Sequence, residues 1–89
     1  MGNTHRVYAM AVIQVGTIDT ETGSEVPGTR LRTGSAQAAV DHACDLNARH
    51  LPPRYRARIL YWGEFVDPAF AELSQLAQQR GLEVEIGGA

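Results

Sequence analysis

Four arginines fall within ten residues, Arg49, Arg54, Arg56 and Arg58, interleaved with His50 and Tyr55. A guanidinium carries five N–H donors in a planar fork that matches carboxylate and phosphate and stacks on aromatic rings. Together with Arg30 and Arg32, this stretch has the chemistry of a surface that grips anions. Arginines beside aromatics on a sheet are also how some modules hold single-stranded nucleic acid, which would assign Arg30, Arg32, Arg54, Arg56 and Arg58 to phosphate contacts. A second group, His42, Cys44, Asp45 and His50, has the residue types of a metal or thiol site. Its spacing does not suit one. His42 and Asp45 share a helical face, Cys44 points to the opposite side, and no second cysteine completes a tetrahedral set. Cys44 reads as a small core residue. Glu64 is the one plausible general base, near Thr33, Ser35 and Trp62, but there is no nucleophile with a paired base and no glycine-rich phosphate loop. The acidic run Asp19–Glu25 has a misplaced glycine and too few oxygen ligands for a calcium loop. No catalytic, cofactor or metal residue is assigned, and the chain is expected not to be an enzyme.

The elements that position these groups follow from periodicity. Val7–Val15 is apolar on both alternating faces, the pattern of a strand with neighbours on both edges and cover on both sides. Thr17–Glu25 reads as turn chemistry, with Gly23 supplying a positive φ. Pro27 and Gly28 delay a short edge strand at Thr29–Arg32. Thr33 or Ser35 caps a helix whose apolar stripe is Ala36, Ala39, Val40, Ala43, Leu46 or Asn47, and Leu51. Pro52 and Pro53 end it. A strand at Tyr55–Trp62 places Tyr55, Ala57, Ile59 and Tyr61 on one face, with Arg54, Arg56, Arg58, Leu60 and Trp62 on the other. Asp67 and Pro68 open a second helix that buries Phe70, Leu73, Leu76 and Ala77, and Gly81 closes it. A last strand, Leu82–Ile86, turns Leu82, Val84 and Ile86 inward and Glu83 and Glu85 outward.

The order ββαβαβ predicts a single α+β domain over residues 1–89. It is a two-layer sandwich with a mixed four-stranded sheet, strand order 2-1-3-4, and both helices on one face. Right-handed crossovers stepping the same way put both helices on the same side. The other sheet face is then bare and carries Tyr8, Met10, Val12, Arg56, Arg58, Leu60 and Trp62. Aromatics, methionine and arginine are the types enriched in interface cores. This face is therefore expected to bind a protein partner or a second copy as a homodimer, with Tyr8, Met10, Arg56, Arg58, Leu60 and Trp62 as contacts. A chain terminus or loop lying over the face is the plainer alternative.

Leu51-Pro52-Pro53 after a helix, a strand ending in Trp62-Gly63, and the terminal Gly87-Gly88 together resemble ubiquitin-like proteins. That resemblance implies a β-grasp fold and a free diglycine tail used for conjugation. The helix expected over 67–80, where that family has a short turn, and Ala89 after the glycine pair are departures from its pattern.

Composition sets the outer bounds. Of 89 residues, 44% are hydrophobic and 20% charged, a balance that suits a folded globular chain. All eight basic residues are arginine, as a GC-rich bacterial or phage gene would encode. Net charge is −2, but residues 1–58 hold seven arginines against five acids and residues 59–89 hold one against five. The basic first two-thirds keeps nucleic acid open as a partner that the total charge alone disfavours. No apolar run approaches the ~20 residues of a membrane helix and no signal-peptide pattern appears. A cytoplasmic protein without metal or membrane partners is the expectation.

Overall fold

The computed structural model describes residues 12–63 and 68–87. Seven elements run in the order β1 (Val12–Asp19), β2 (Ser24–Glu25), β3 (Leu31–Thr33), α1 (Ala36–Arg49), β4 (Tyr55–Trp62), α2 (Pro68–Gln79) and β5 (Val84–Ile86). They form an α+β fold with one mixed sheet of five strands. β1 pairs antiparallel with β4 along its whole length, from Val12 opposite Trp62 to Asp19 opposite Tyr55. Its other edge is shared by β3, opposite residues 13–15, and β2, opposite residues 18 and 19. β5 adds parallel to β4. The four expected strands keep their relative positions, and β2 is an extra one on the β3 edge.

That fifth strand corrects the reading of Thr17–Glu25 as a turn. β1 continues through Thr17 and Ile18 to Asp19 because its alternation does not stop at Val15: Thr17 is buried and Ile18 lies on the opposite face. Only Thr20–Gly23 forms the turn. The Asp19 carboxylate accepts from Glu21 N–H at 2.9 Å, and Gly23, at φ +77°, donates its N–H to the Asp19 carbonyl at 2.7 Å. Between β2 and β3 a side chain completes the edge. Thr29 Oγ1 accepts from Thr17 N–H at 3.0 Å and donates to the Val26 carbonyl at 2.7 Å. The residues of Val7–Val15 before Val12, together with Asp67 as a helix cap, lie outside the described residues.

Both helices lie against the face that carries Ile13, Val15, Thr17, Ile59 and Tyr61. α1 begins at Ser35, whose hydroxyl accepts from Ala38 N–H at 3.1 Å; Thr33 accepts instead from Ser35 N–H. Ala36, Ala39, Val40, Ala43 and Leu46 are buried, and the small alanines let the helix sit close to the strands. Asn47, next on the stripe, accepts from Ala57 N–H at 3.2 Å. Leu51 does not extend the stripe as expected. His50 is extended at the C-cap, so Leu51 leaves the helical spacing and is 65% exposed. α2 buries Leu73 and Ala77, with Phe70 and Leu76 packed against the core. It ends as its sequence requires: Gly81 has φ +71° and Leu82 N–H reaches back to the Ala77 carbonyl at 2.8 Å. β5 is shorter than expected; Ile86 lies on the inward side, opposite Tyr61, but is 42% exposed because β5 is at the sheet edge.

Candidate functional site

Strand alternation sends Val12, Gln14, Gly16 and Ile18 of β1 to the face opposite the helices, and the β4 register sets Trp62, Leu60, Arg58 and Arg56 beside them in that order. Arg32 of β3 lies opposite Gln14, Glu25 of β2 opposite Ile18, and Glu85 of β5 opposite Leu60. Arg56, Arg58, Leu60 and Trp62 thus stand together on one face, as the sequence indicates. Tyr8 and Met10 lie outside the described residues.

Trp62 is half-buried, and its partner explains why. Gly87 N–H donates to the Tyr61 carbonyl at 2.9 Å, carrying the chain on past β5. The Trp62 indole lies against Gly87 so closely that a Cβ there would overlap the ring. The free diglycine tail implied by the ubiquitin-like resemblance begins, at Gly87, hydrogen-bonded to β4 rather than free; Gly88 lies outside the described residues.

The arginines are less free than their clustering suggests. Arg58 binds Glu85 side-on, with Nε 3.0 Å and Nη2 2.9 Å from Oε1. Arg30 binds Glu25 in the same manner, Nε to Oε2 at 3.2 Å and Nη2 to Oε1 at 2.6 Å. Arg54 does not join the open face. It precedes β4 and turns to the hairpin, where Nη2 lies 3.1 Å from Asp19 Oδ2 and Nε 3.8 Å from Glu21, with its guanidinium also over the Tyr55 ring. Among the described residues Arg32 and Arg56 have no ion-pair partner. Three of the five arginines expected to meet phosphate are therefore already held by carboxylates. Arg49 pairs with Asp45 along α1.

These exposed pairs contribute little stability each, as solvent-screened surface ion pairs usually do. What they fix is geometry. Glu25 reaches across β1 above Gly16, and a Cβ at that position would overlap its carboxylate. Beside this carboxylate is a half-open hollow of about 240 Å³ lined by Gln14, Gly16, Ile18, Gly23, Glu25, Arg30, Arg58 and Leu60. Gln14, Gly16, Ile18 and Glu25 belong to the face but were not among its expected residues. The signal for them was the alternation of Val15, Thr17 and Asp19 against Gly16 and Ile18, continuing past the glycine.

Two carboxylates titrate in response. The Arg58 guanidinium holds Glu85 below the ordinary glutamate range, with partial burial opposing it. Arg54 does the same to Asp19. Folded values below the unfolded ones mean stability present in full above the ordinary carboxylate range and lost as the pH falls through the lowered values. Arg58→Gln is expected to flatten part of that acid limb in urea unfolding between pH 3 and 6, and an acid limb identical to wild type would contradict the Glu85 assignment.

The remaining groups perform no shared chemistry. His42 places Nε2 2.8 Å from the Thr29 carbonyl, which requires the proton on that nitrogen. Cys44 is half-buried against the core. His50 meets Tyr55 edge-on with ring centroids 5.5 Å apart. Among the described residues no three histidine, cysteine, aspartate or glutamate side chains gather as metal ligands, and no helix is long and apolar enough to cross a membrane. Glu64 lies outside the described residues. Compared with protein-family models, curated proteins and solved structures, the chain matches none.

Proposed function

We propose that this chain is a small non-catalytic interaction module that self-associates or binds a protein partner through the open sheet face. The observation that carries this reading is the one-sided layering: both helices pack on the Ile13–Val15–Ile59–Tyr61 side, so among the described residues no helix lies over Val12, Ile18, Leu60 and Trp62. Apolar groups interleaved with arginine and glutamate on one face have the mixed composition of a protein interface. Oppositely charged side chains along the rim also suit contact with another mixed surface, a second copy included.

What weighs against single-stranded nucleic acid is the carboxylates. Glu25 and Glu85 occupy Arg30 and Arg58 on this same face, and each would meet an incoming phosphate with like charge. A cytoplasmic setting suits a chain whose single cysteine has no second one to pair with. Light scattering on the eluting chain tests the reading. The expected mass is twice the 9.7 kDa of the chain, or that of a complex with a bound protein, without excess absorbance at 260 nm. A 9.7 kDa monomer at high concentration with no protein retained, or a complex rich in nucleic acid, would contradict it.

A further inference from the structure

We propose that the hollow between Arg30 and Arg58 seats the carboxylate of an acidic side chain presented by a protein partner, an inference that rests on the open face being a protein-binding surface. Size comes first. At about 240 Å³ the hollow falls below the ~300–1,000 Å³ of typical small-molecule sites, and suits one inserted side chain. The Glu25 carboxylate lies over Gly16, where a Cβ would overlap it, and walls the hollow on that side. Ile18 and Leu60 offer aliphatic wall to a side-chain stem.

The donors point to the head group. Arg30 and Arg58 each commit one Nε–H and one Nη2–H to a glutamate, which leaves three of the five guanidinium donors on each. Glu25 and Glu85 thus act as struts that hold two forks at the hollow. The Gln14 side-chain amide, also on the lining, makes no hydrogen bond to another described side chain and supplies a further N–H.

Charge points the same way. Arg30, Arg32, Arg56 and Arg58 stand on or beside this face against Glu25, Glu85 and the neighbouring Glu83, four positive against three negative, on a chain whose net charge is −2. The excess is small, which suits a singly charged carboxylate. A phosphate, with more charge, would be pressed against the Glu25 strut.

The experiment uses the isotopically labelled chain and three probes: a capped hexapeptide with two central glutamates, the same peptide with glutamines, and inorganic phosphate. The glutamate peptide is expected to shift the Gln14 and Gly16 amides and the Arg30 and Arg58 Nε signals. Affinity should fall at least ten-fold with the glutamine peptide, and by a similar factor in Arg58→Gln and in Arg58→Lys, which keeps the charge and loses the fork. Amide dispersion checks that each variant is folded. Equal response to both peptides, tighter binding of phosphate at these signals, or binding unchanged in folded Arg58→Gln would overturn the proposal. A chain that assembles through the open face by light scattering yet ignores the glutamate peptide overturns the assignment of the hollow and leaves the protein-binding reading standing.

Discussion

Tyr61→Ala is expected to remove about 3–5 kcal/mol of folding stability, the usual cost of truncating a buried aromatic to alanine. Tyr61 is among the largest fully buried side chains, on the central strand β4 opposite Ile13 and beneath the helices. Its ring stands 5.0 Å from that of Phe70, tilted by 51°, so it joins β4 to α2 as well as filling the core. In a chain of 89 residues the total stability is on the order of 5–10 kcal/mol, so this one change takes a large part of it. Urea unfolding followed by far-UV circular dichroism reads the loss as a lower midpoint. A midpoint within experimental error of wild type would mean that Tyr61 does not face the core.

One residue away, Leu60→Asp is expected to do the reverse: keep the fold and lose the contact. Leu60 lies on the open side of the same strand, between Gln14 of β1 and Glu85 of β5. It is half-buried, so its replacement forfeits only part of a leucine's transfer free energy, about 1 kcal/mol. At an interface the same substitution buries a carboxylate next to Glu85, where desolvation and like charge are both costly. Association should weaken at least ten-fold, which is about 1.4 kcal/mol or more. Light scattering beside a melting curve separates the two effects. A variant that melts near wild type but assembles as well as wild type would remove Leu60 from the interface.

These neighbours also show what the sequence made legible. The period-two pattern of Tyr55–Trp62 assigned every β4 residue to its face, because each position alternates without a break. α1 and α2 were legible for a similar reason: alanine and leucine at helical spacing, with Gly81 to close α2. The β1 hairpin was harder. Thr17, Thr20 and Thr22 sit in a run of polar residues that reads as a turn, and only the pairing of Ile18 with Glu25 turns its ends into strands. The site suffered from that gap. Its floor is a glycine, which carries no side chain to mark a face, and its wall is Glu25, which arrives from the far arm of the hairpin. Arg54 was placed one residue too far along the alternation, since β4 begins at Tyr55 and the side chain before it is free to turn toward Asp19. Ion pairing was half legible. The match of Arg58 with Glu85 follows from strand proximity, whereas that of Arg30 with Glu25 depends on a loop that no periodicity describes.

Amide chemical shifts followed on association, by raising the concentration of the labelled chain and by adding the glutamate peptide, test the central claim most directly. The perturbed signals should be Gln14, Gly16, Ile18, Leu60 and Trp62, with the indole N–H of Trp62 among them, while Gln37, Asp41 and Gln75 on the outer sides of the helices stay fixed. Perturbations confined to the helices, or no perturbation in either series, would contradict the account.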